Sequence, residues 1–313
     1  MEEDYPRNLL EFEQRFATEE ACREYVMSLR WPDGYVCPAC GGRRAWPTRR
    51  NLLVCAQCEH QASLTAGTIF QDTHKPLHVW FRAMWWVTTQ KTGASALGLQ
   101  RELGLGAYWT AWTWLHKLRR AMVRPGRDRL AGVVEVDETY WGGEEKGVIG
   151  RLTRDKALII IVAAQQDGNG IGRVRLARLQ TLTKENVHGF IRQAVEPGSA
   201  IVTDGLNVYT GLAGYEHRPV IVKRQSRNAS ALLPRVHRVV SLLKRWLLGT
   251  HQGSVRPEHL DYYLDEFTFR FNRRTSASRG KLFFRLMQSA VQVAPAPYKD
   301  LIKHVSPGPY HKP

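Results

Sequence analysis

Two cysteine pairs constrain this fold more than any other feature. Cys37-Pro-Ala-Cys40 and Cys55-Ala-Gln-Cys58 are CxxC turns separated by 14 residues. Each turn aims two thiolates at one point, and two turns at this separation complete a tetrahedral S₄ shell suited to Zn²⁺. Redox pairs and disulfides are the alternatives. A redox CxxC usually stands alone at a helix start, and disulfides are rare in the cytosol. Residues 31–65 are therefore expected to form a zinc ribbon, with Gly41 and Gly42 in the first turn and Asn51-Leu52-Leu53-Val54 as the strand entering the second. Four thiolates leave zinc no open position, so its role is folding rather than catalysis. Cys22 stands outside the pattern.

The charge balance indicates the partner. In 313 residues, 45 Lys and Arg against 29 Asp and Glu give a net charge of +16. With 43% hydrophobic residues and ten Trp, the chain has material for a sizeable core, which argues against a disordered basic tail. A folded protein of this charge expects a polyanion, nucleic acid before an anionic membrane. The longest apolar run, Ala157 to Ala164, falls far short of the ~20 residues a bilayer requires. The acidic start, Met1-Glu2-Glu3-Asp4, lacks the basic-then-apolar order of a secretion signal, so a cytoplasmic location is expected.

Helical spacing over residues 1–30 (Leu9, Leu10, Phe12, Phe16, then Cys22, Tyr25, Val26, Leu29) predicts a helical lead to the ribbon. Residues 66–125 read as a helical DNA-binding module. Trp80 to Thr89 is an aromatic-rich helix. Ser95 to Leu103, a Gly104-Leu105-Gly106 break and Tyr108 to Met122 then have the form of a helix-turn-helix. A plain helical connector with Trp109, Trp112, Trp114 and Leu115 in its core is the other reading. Lys117, Arg119 and Arg120 at the end of the second helix favour DNA contact, with Lys117 and Arg120 as candidate phosphate ligands. Over residues 130–250 the predicted order is three strands, a helix, two strands and a helix from Val236 to Leu248; residues 251–313 read as a C-terminal helical segment.

Two of the strands end in aspartate. Asp137 closes Val133-Val134-Glu135-Val136-Asp137 and Asp204 closes Ala200-Ile201-Val202-Thr203-Asp204. Alone, an Asp at a strand end is commonly a turn-former or cap. Two of them on strands that could be neighbours can share divalent ions, and paired Mg²⁺ holds attacking and leaving oxygens in line for phosphoryl transfer. Between Glu216 and Glu258 there is no acidic residue, whereas Arg224, Arg235, Arg238, Lys244 and Arg245 all fall there. This predicts a channel for a phosphate backbone, with Arg224 to Pro234 as a candidate mobile loop. No GxxxxGK[ST] phosphate loop is present, so no ATP-driven step is indicated.

Val136-Asp137-Glu138-Thr139-Tyr140-Trp141-Gly142-Gly143, Thr203-Asp204-Gly205, Ser241-Leu242-Leu243-Lys244 and the closing Tyr263-Leu264-Asp265-Glu266-Phe267 with Arg270-Phe271-Asn272-Arg273-Arg274 occur in that order. In these motifs, over residues from about 10 to 290, the chain resembles the ISXO-like bacterial insertion-sequence transposases. The resemblance implies an α/β fold: an RNase H-like mixed sheet with flanking helices, preceded by a zinc ribbon and a helix-turn-helix-like module. It also implies a DDE-type enzyme that binds an element's terminal inverted repeats and performs metal-dependent strand cleavage and transfer, with Mg²⁺ or Mn²⁺ as catalytic ion. Double-stranded DNA, as transposon ends and target, would be its partner, and a homodimer or larger assembly on DNA its working form. Asp137 and Asp204 then correspond to the first two metal ligands.

The third position, seven residues before Lys244, holds His237 where many relatives of that kind have Glu. Imidazole suits zinc or manganese better than magnesium, so His237 is expected to bind the metal, position water, or mark a weakened enzyme. It can also be read as a DNA-facing residue beside Arg238. Glu266 is the rival acid, at about double the required spacing from Asp204. Lys244, Arg245, Arg238 and Arg224 are the expected phosphate contacts. The competing function is a zinc-ribbon DNA-binding protein whose catalysis has been lost.

Overall fold

The computed structural model describes residues 3–124, 126–142, 158–220 and 232–303. The chain divides into two compact units: residues up to Gly126 together with Thr275–Lys303, and Arg127–Arg274. The stretch beyond residue 250 is thus shared between them.

In the first unit, α1 (Leu9–Arg15) starts on Asn8, whose side chain accepts from Glu11 N–H, and α2 (Glu19–Arg30) on Thr18, which caps Ala21 N–H. Buried Cys22, Tyr25, Val26 and Leu29 form one stripe of α2 at helical spacing. Burial pushes the Cys22 thiol up to about 12, as befits a core residue. Strands β1 (Ala45–Pro47), β2 (Leu52–Cys55) and β3 (Gln61–Ser63) form the antiparallel sheet of the ribbon. Helices α3 (Leu77–Thr89), α4 (Ala96–Leu103) and α5 (Tyr108–Ala121) follow, and α4 and α5 pack together across the predicted glycine break. Phe12, Phe16, Tyr25, Phe81 and Trp85 surround Phe283 of α9 (Arg279–Ala290) in an aromatic core. The short α10 (Tyr298–Lys303) completes the unit.

The second unit is built on a five-stranded sheet. Its strands are β4 (Val133–Trp141), β5 (Leu158–Asp167), β6 (Gly170–Leu179), β7 (Ala200–Thr203) and β8 (Glu216–Pro219), in the order β6-β5-β4-β7-β8. The β4-β5-β6 meander is antiparallel, whereas β7 and β8 run parallel to β4. This is the RNase H-like arrangement. Between β6 and β7 the chain crosses over through α6 (Lys184–Ala194); α7 (Pro234–His251) and α8 (Leu260–Asn272) come after β8.

Alternation along β5 explains the layering, since successive strand residues face opposite sides. Ile161 and Ala163 join Val134 and Val136 against Val187, Phe190 and Ile191 of α6. Ile160, Val162 and Ala164 pack against Val239, Leu243 and Leu247 of α7 and Leu264 and Phe267 of α8. A strand covered on both faces reads as an unbroken apolar run, as this one does.

Candidate active site

The carboxylates of β4 are sorted by the same alternation. Glu135 and Asp137 share the face turned to α7, while Glu138 points to the other side. Glu135 is 3% exposed and takes over the role of an N-cap for α7, whose preceding residue, Leu233, supplies no side-chain acceptor. Its Oε2 accepts from the backbone N–H groups of Arg235 (2.8 Å) and Val236 (3.0 Å), and its Oε1 from Arg235 Nη1 (2.8 Å). Two positions on in each element, His237 Nε2 lies 3.3 Å from Asp137 Oδ2. The structure therefore joins the first and third expected site residues through a strand–helix contact that Glu135 fixes.

Asp204 directly follows β7. The parallel register pairs Glu135 with Val202, and the same register carried two residues further sets Asp137 level with Asp204. Asp204 Oδ1 accepts from Leu206 N–H at 3.0 Å, closing a tight turn through Gly205, whose φ of +80° favours glycine. Thr203 Oγ1 sits 3.0 Å from His217 Nε2 on β8 and accepts from Gly205 N–H at 3.2 Å. A short 3₁₀ turn, Asn207–Tyr209, then buries Tyr209, whose hydroxyl donates to Glu138 Oε2 at 2.8 Å. Burial raises the Tyr209 phenol well above its ordinary value, helped by the negative charges of Glu138, Asp137 and Asp204. Asp137 and Asp204 thus act on one buried hydroxyl. The donor atoms of Asp137, Asp204 and His237 do not all lie within 4.8 Å of one another, a closeness that only the four cysteines achieve among the described residues.

Glu266, the rival third acid, lies elsewhere. It is 1% exposed on α8 and pairs with Arg270 one turn on, at 2.8 Å. Of the expected phosphate contacts, Arg238 and Arg245 are exposed on α7 and Lys244 is half-buried. Arg224 lies outside the described residues, as does most of the candidate loop. On α5, Arg119 is buried and Lys117 and Arg120 are half-buried, whereas Tyr108 and Trp109 at its start are exposed. Sequence reasoning missed Glu135, Glu138, Thr203 and Tyr209. The available signal was the acid-rich pattern Glu135-Val136-Asp137-Glu138, which places acids on both faces of one strand.

In the ribbon, Cys37 Sγ and Cys58 Sγ are 3.7 Å apart and Cys40 Sγ and Cys55 Sγ 3.6 Å. A tetrahedron with Zn–S bonds of ~2.3 Å has edges of ~3.8 Å, so the cluster fits the ion. Gly42 N–H points at Cys40 Sγ and Gln57 N–H at Cys55 Sγ, both at 3.4 Å. A Cβ at Gly42 would come within 3.1 Å of Cys55 Sγ and 3.3 Å of Cys40 Sγ, hence the glycine. Burial works against ionising the Cys37 thiol, yet the N–H groups of Cys40 and Ala39 bring it to about 6. At Cys58 the His60 N–H favours the thiolate, but hydrogen bonds to Cys40, Cys37 and Cys55, together with desolvation, push it up to about 12. Four thiolates this close call for a cation.

Residues 129–272 match the ISXO2-like transposase domain, and residues 17–61 match the transposase zinc-ribbon domain. The chain is also 24% identical over 282 residues to an uncharacterized protein in transposable element ISH50 of Halobacterium salinarum, covering 82% of this chain and 91% of that protein. No solved structure matches the chain. The chain thus carries a transposase zinc-ribbon domain followed by an ISXO2-like transposase domain, in the order the sequence motifs imply.

Proposed function

We propose that this chain binds the terminal inverted repeats of an insertion sequence and catalyses strand cleavage and strand transfer on DNA. The observation that carries the reading is the Asp137–His237 contact at 3.3 Å beside the strand that leads into Asp204, in an RNase H-like sheet. Asp137 and Asp204 would hold Mg²⁺ or Mn²⁺, and His237 serves as third ligand or orients the attacking water. Two carboxylates suit either ion, and the imidazole tilts the set toward Mn²⁺. Bound there, the metal supplies positive charge that aligns attacking and leaving oxygens.

In the first step a water oxygen forms a bond to phosphorus at the element end. The bond from phosphorus to the 3′-oxygen breaks, and that oxygen leaves with a proton as a 3′-hydroxyl. In the second step this hydroxyl attacks a target phosphodiester and displaces the target's own 3′-oxygen. Arg238, Lys244 and Arg245 neutralise backbone phosphates alongside α7, while the ribbon and the α4–α5 pair recognise the ends. Processing two ends together calls for a dimer or larger assembly, working on DNA in the cytoplasm. No helix among the described residues is long and apolar enough to cross a membrane.

The test is a cleavage assay on DNA carrying the element's own ends, with Mg²⁺ or Mn²⁺. Nicking at the end, lost in Asp137→Asn and Asp204→Asn, is the expected result. End binding with no cleavage in either metal would instead favour the second reading, a DNA-binding protein without catalysis, to which the imidazole at position 237 already lends weight.

A further inference from the structure

The start of α5 presents aromatic rings where a helix-turn-helix of this kind would need to contact DNA. Trp109 is 58% exposed and Tyr298 of α10 is 44% exposed. Both rim a cleft of about 410 Å³ in the first unit, whose walls include Thr73, Thr113, Trp114 and Lys117. Trp114 stacks on Trp80 with ring centroids 3.8 Å apart. Lys117 is half-buried, with Nζ 6.0 Å from the centre of the Trp80 ring. Burial lowers its ammonium below the ordinary value, and Asp72, on the cleft's own wall, offsets this only in part. Among the described residues no carboxylate lies within ion-pair distance of it. A half-buried cation among the aromatic residues that line a cleft suits a ligand with a flat apolar face and an anionic group.

We propose that this cleft takes one unstacked nucleotide of bound DNA, its base against Trp109 and Tyr298 and its phosphate toward Lys117. Paired bases in a duplex show the protein only their edges, so a cleft with aromatic walls is of use to a base that has left the stack. Thr110 and Thr113 supply hydroxyls for the base edge, while the Thr73 hydroxyl is committed to Lys75 and to the Trp80 indole N–H. The proposal rests on the reading that the chain binds DNA, and it adds the part of the DNA that the cleft receives.

The test uses the full-length, zinc-loaded protein and two duplexes carrying the element's own end sequence, one fully paired and one with a single bulged thymidine. Wild type should prefer the bulged duplex by about tenfold, the order expected for stacking one base on an aromatic side chain. Trp109→Ala should bring that ratio close to one, and Lys117→Met should lower it. Zinc content and thermal transition are checked in each variant. If Trp109→Ala misfolds, Tyr298→Ala gives the same reading from the other exposed ring of the cleft. Equal binding of the two duplexes by wild type, or a ratio that survives in the well-folded aromatic variant, overturns the cleft assignment while DNA binding stands. Failure of wild type to bind either duplex overturns both.

Discussion

A carboxylate on a strand covered from both faces persists only where something meets it, and β4 carries three between Glu135 and Glu138. Glu135 meets the start of α7 and Glu138 meets the Tyr209 hydroxyl; Asp137 faces His237 and keeps partial exposure, at 18% of its side chain. Asp137→Asn should therefore abolish cleavage and leave end binding intact, because the amide keeps the shape and loses the charge. A variant that nicks normally would remove Asp137 from the chemistry. His237→Ala should cut the nicking rate strongly. His237→Glu should keep or raise it with Mg²⁺ if the imidazole stands in for a carboxylate, as time courses in each metal would reveal. Glu135→Ala leaves Arg235 and the first N–H groups of α7 without their acceptor. It should destabilise the second unit by about 3 kcal/mol in denaturant melts, the order seen on breaking a buried pair. The aspartates were legible as acids set against apolar strand residues, although β4 runs past Asp137 to Trp141 and only Asp204 stands at a strand's end; Glu135 was not legible, because its partner lies 100 residues away.

At the scale of elements, α7 was legible from its apolar period, but sequence alone could not show that its N-terminus is capped from β4. The period also leaves Arg238 and Arg245 on the exposed side and Lys244 half-buried. If these follow a DNA backbone, Lys244→Ala and Arg245→Ala should each lower the salt slope of binding by about one unit. An unchanged slope in both would turn this face toward solvent or another subunit. The β7–β8 edge and α6 carry a pH dependence. His217, bonded to Thr203 beside Asp204, and His188 on α6 are both held below the ordinary 6.5, first by burial and, at His188, next by Arg192 and Lys184. The folded chain then binds fewer protons than the unfolded chain as both rings titrate. Their stabilising contribution is complete above about pH 6.5 and is lost as pH falls through the lowered values. Thermal melts from about pH 7.5 to about pH 5.5 should show a falling transition for the second unit, less steep in His217→Gln. A transition independent of pH over that range would remove both histidines from the account.

At the scale of the whole molecule, the chain leaves its first unit at Gly126 and returns to it at Thr275, a path that helical periodicity near the C-terminus does not encode. The sequence reads residues 251–313 as one helical segment; assigning α8 to the sheet and α9 to the aromatic core requires knowing which apolar faces remain uncovered. Metal dependence should follow this division. The ribbon buries little beyond Cys37, Leu53, Val54, Cys55, Ala62 and Leu64, and so small a core cannot hold three short strands without its ion. The second unit has its own two-sided core and none of the cysteines. Cys40→Ser, or stripping by a strong chelator, should unfold residues 31–65 and end specific binding to the element's ends. The second unit should meanwhile keep its thermal transition, and β4 to β7 and α6 to α8 their slow amide exchange. Hydrogen exchange read by mass spectrometry separates the two outcomes segment by segment. A purified protein that holds no zinc yet protects residues 45–63 would overturn the structural role of the metal, and loss of protection throughout β4 to β7 and α6 to α8 after chelation would show that the units do not fold independently.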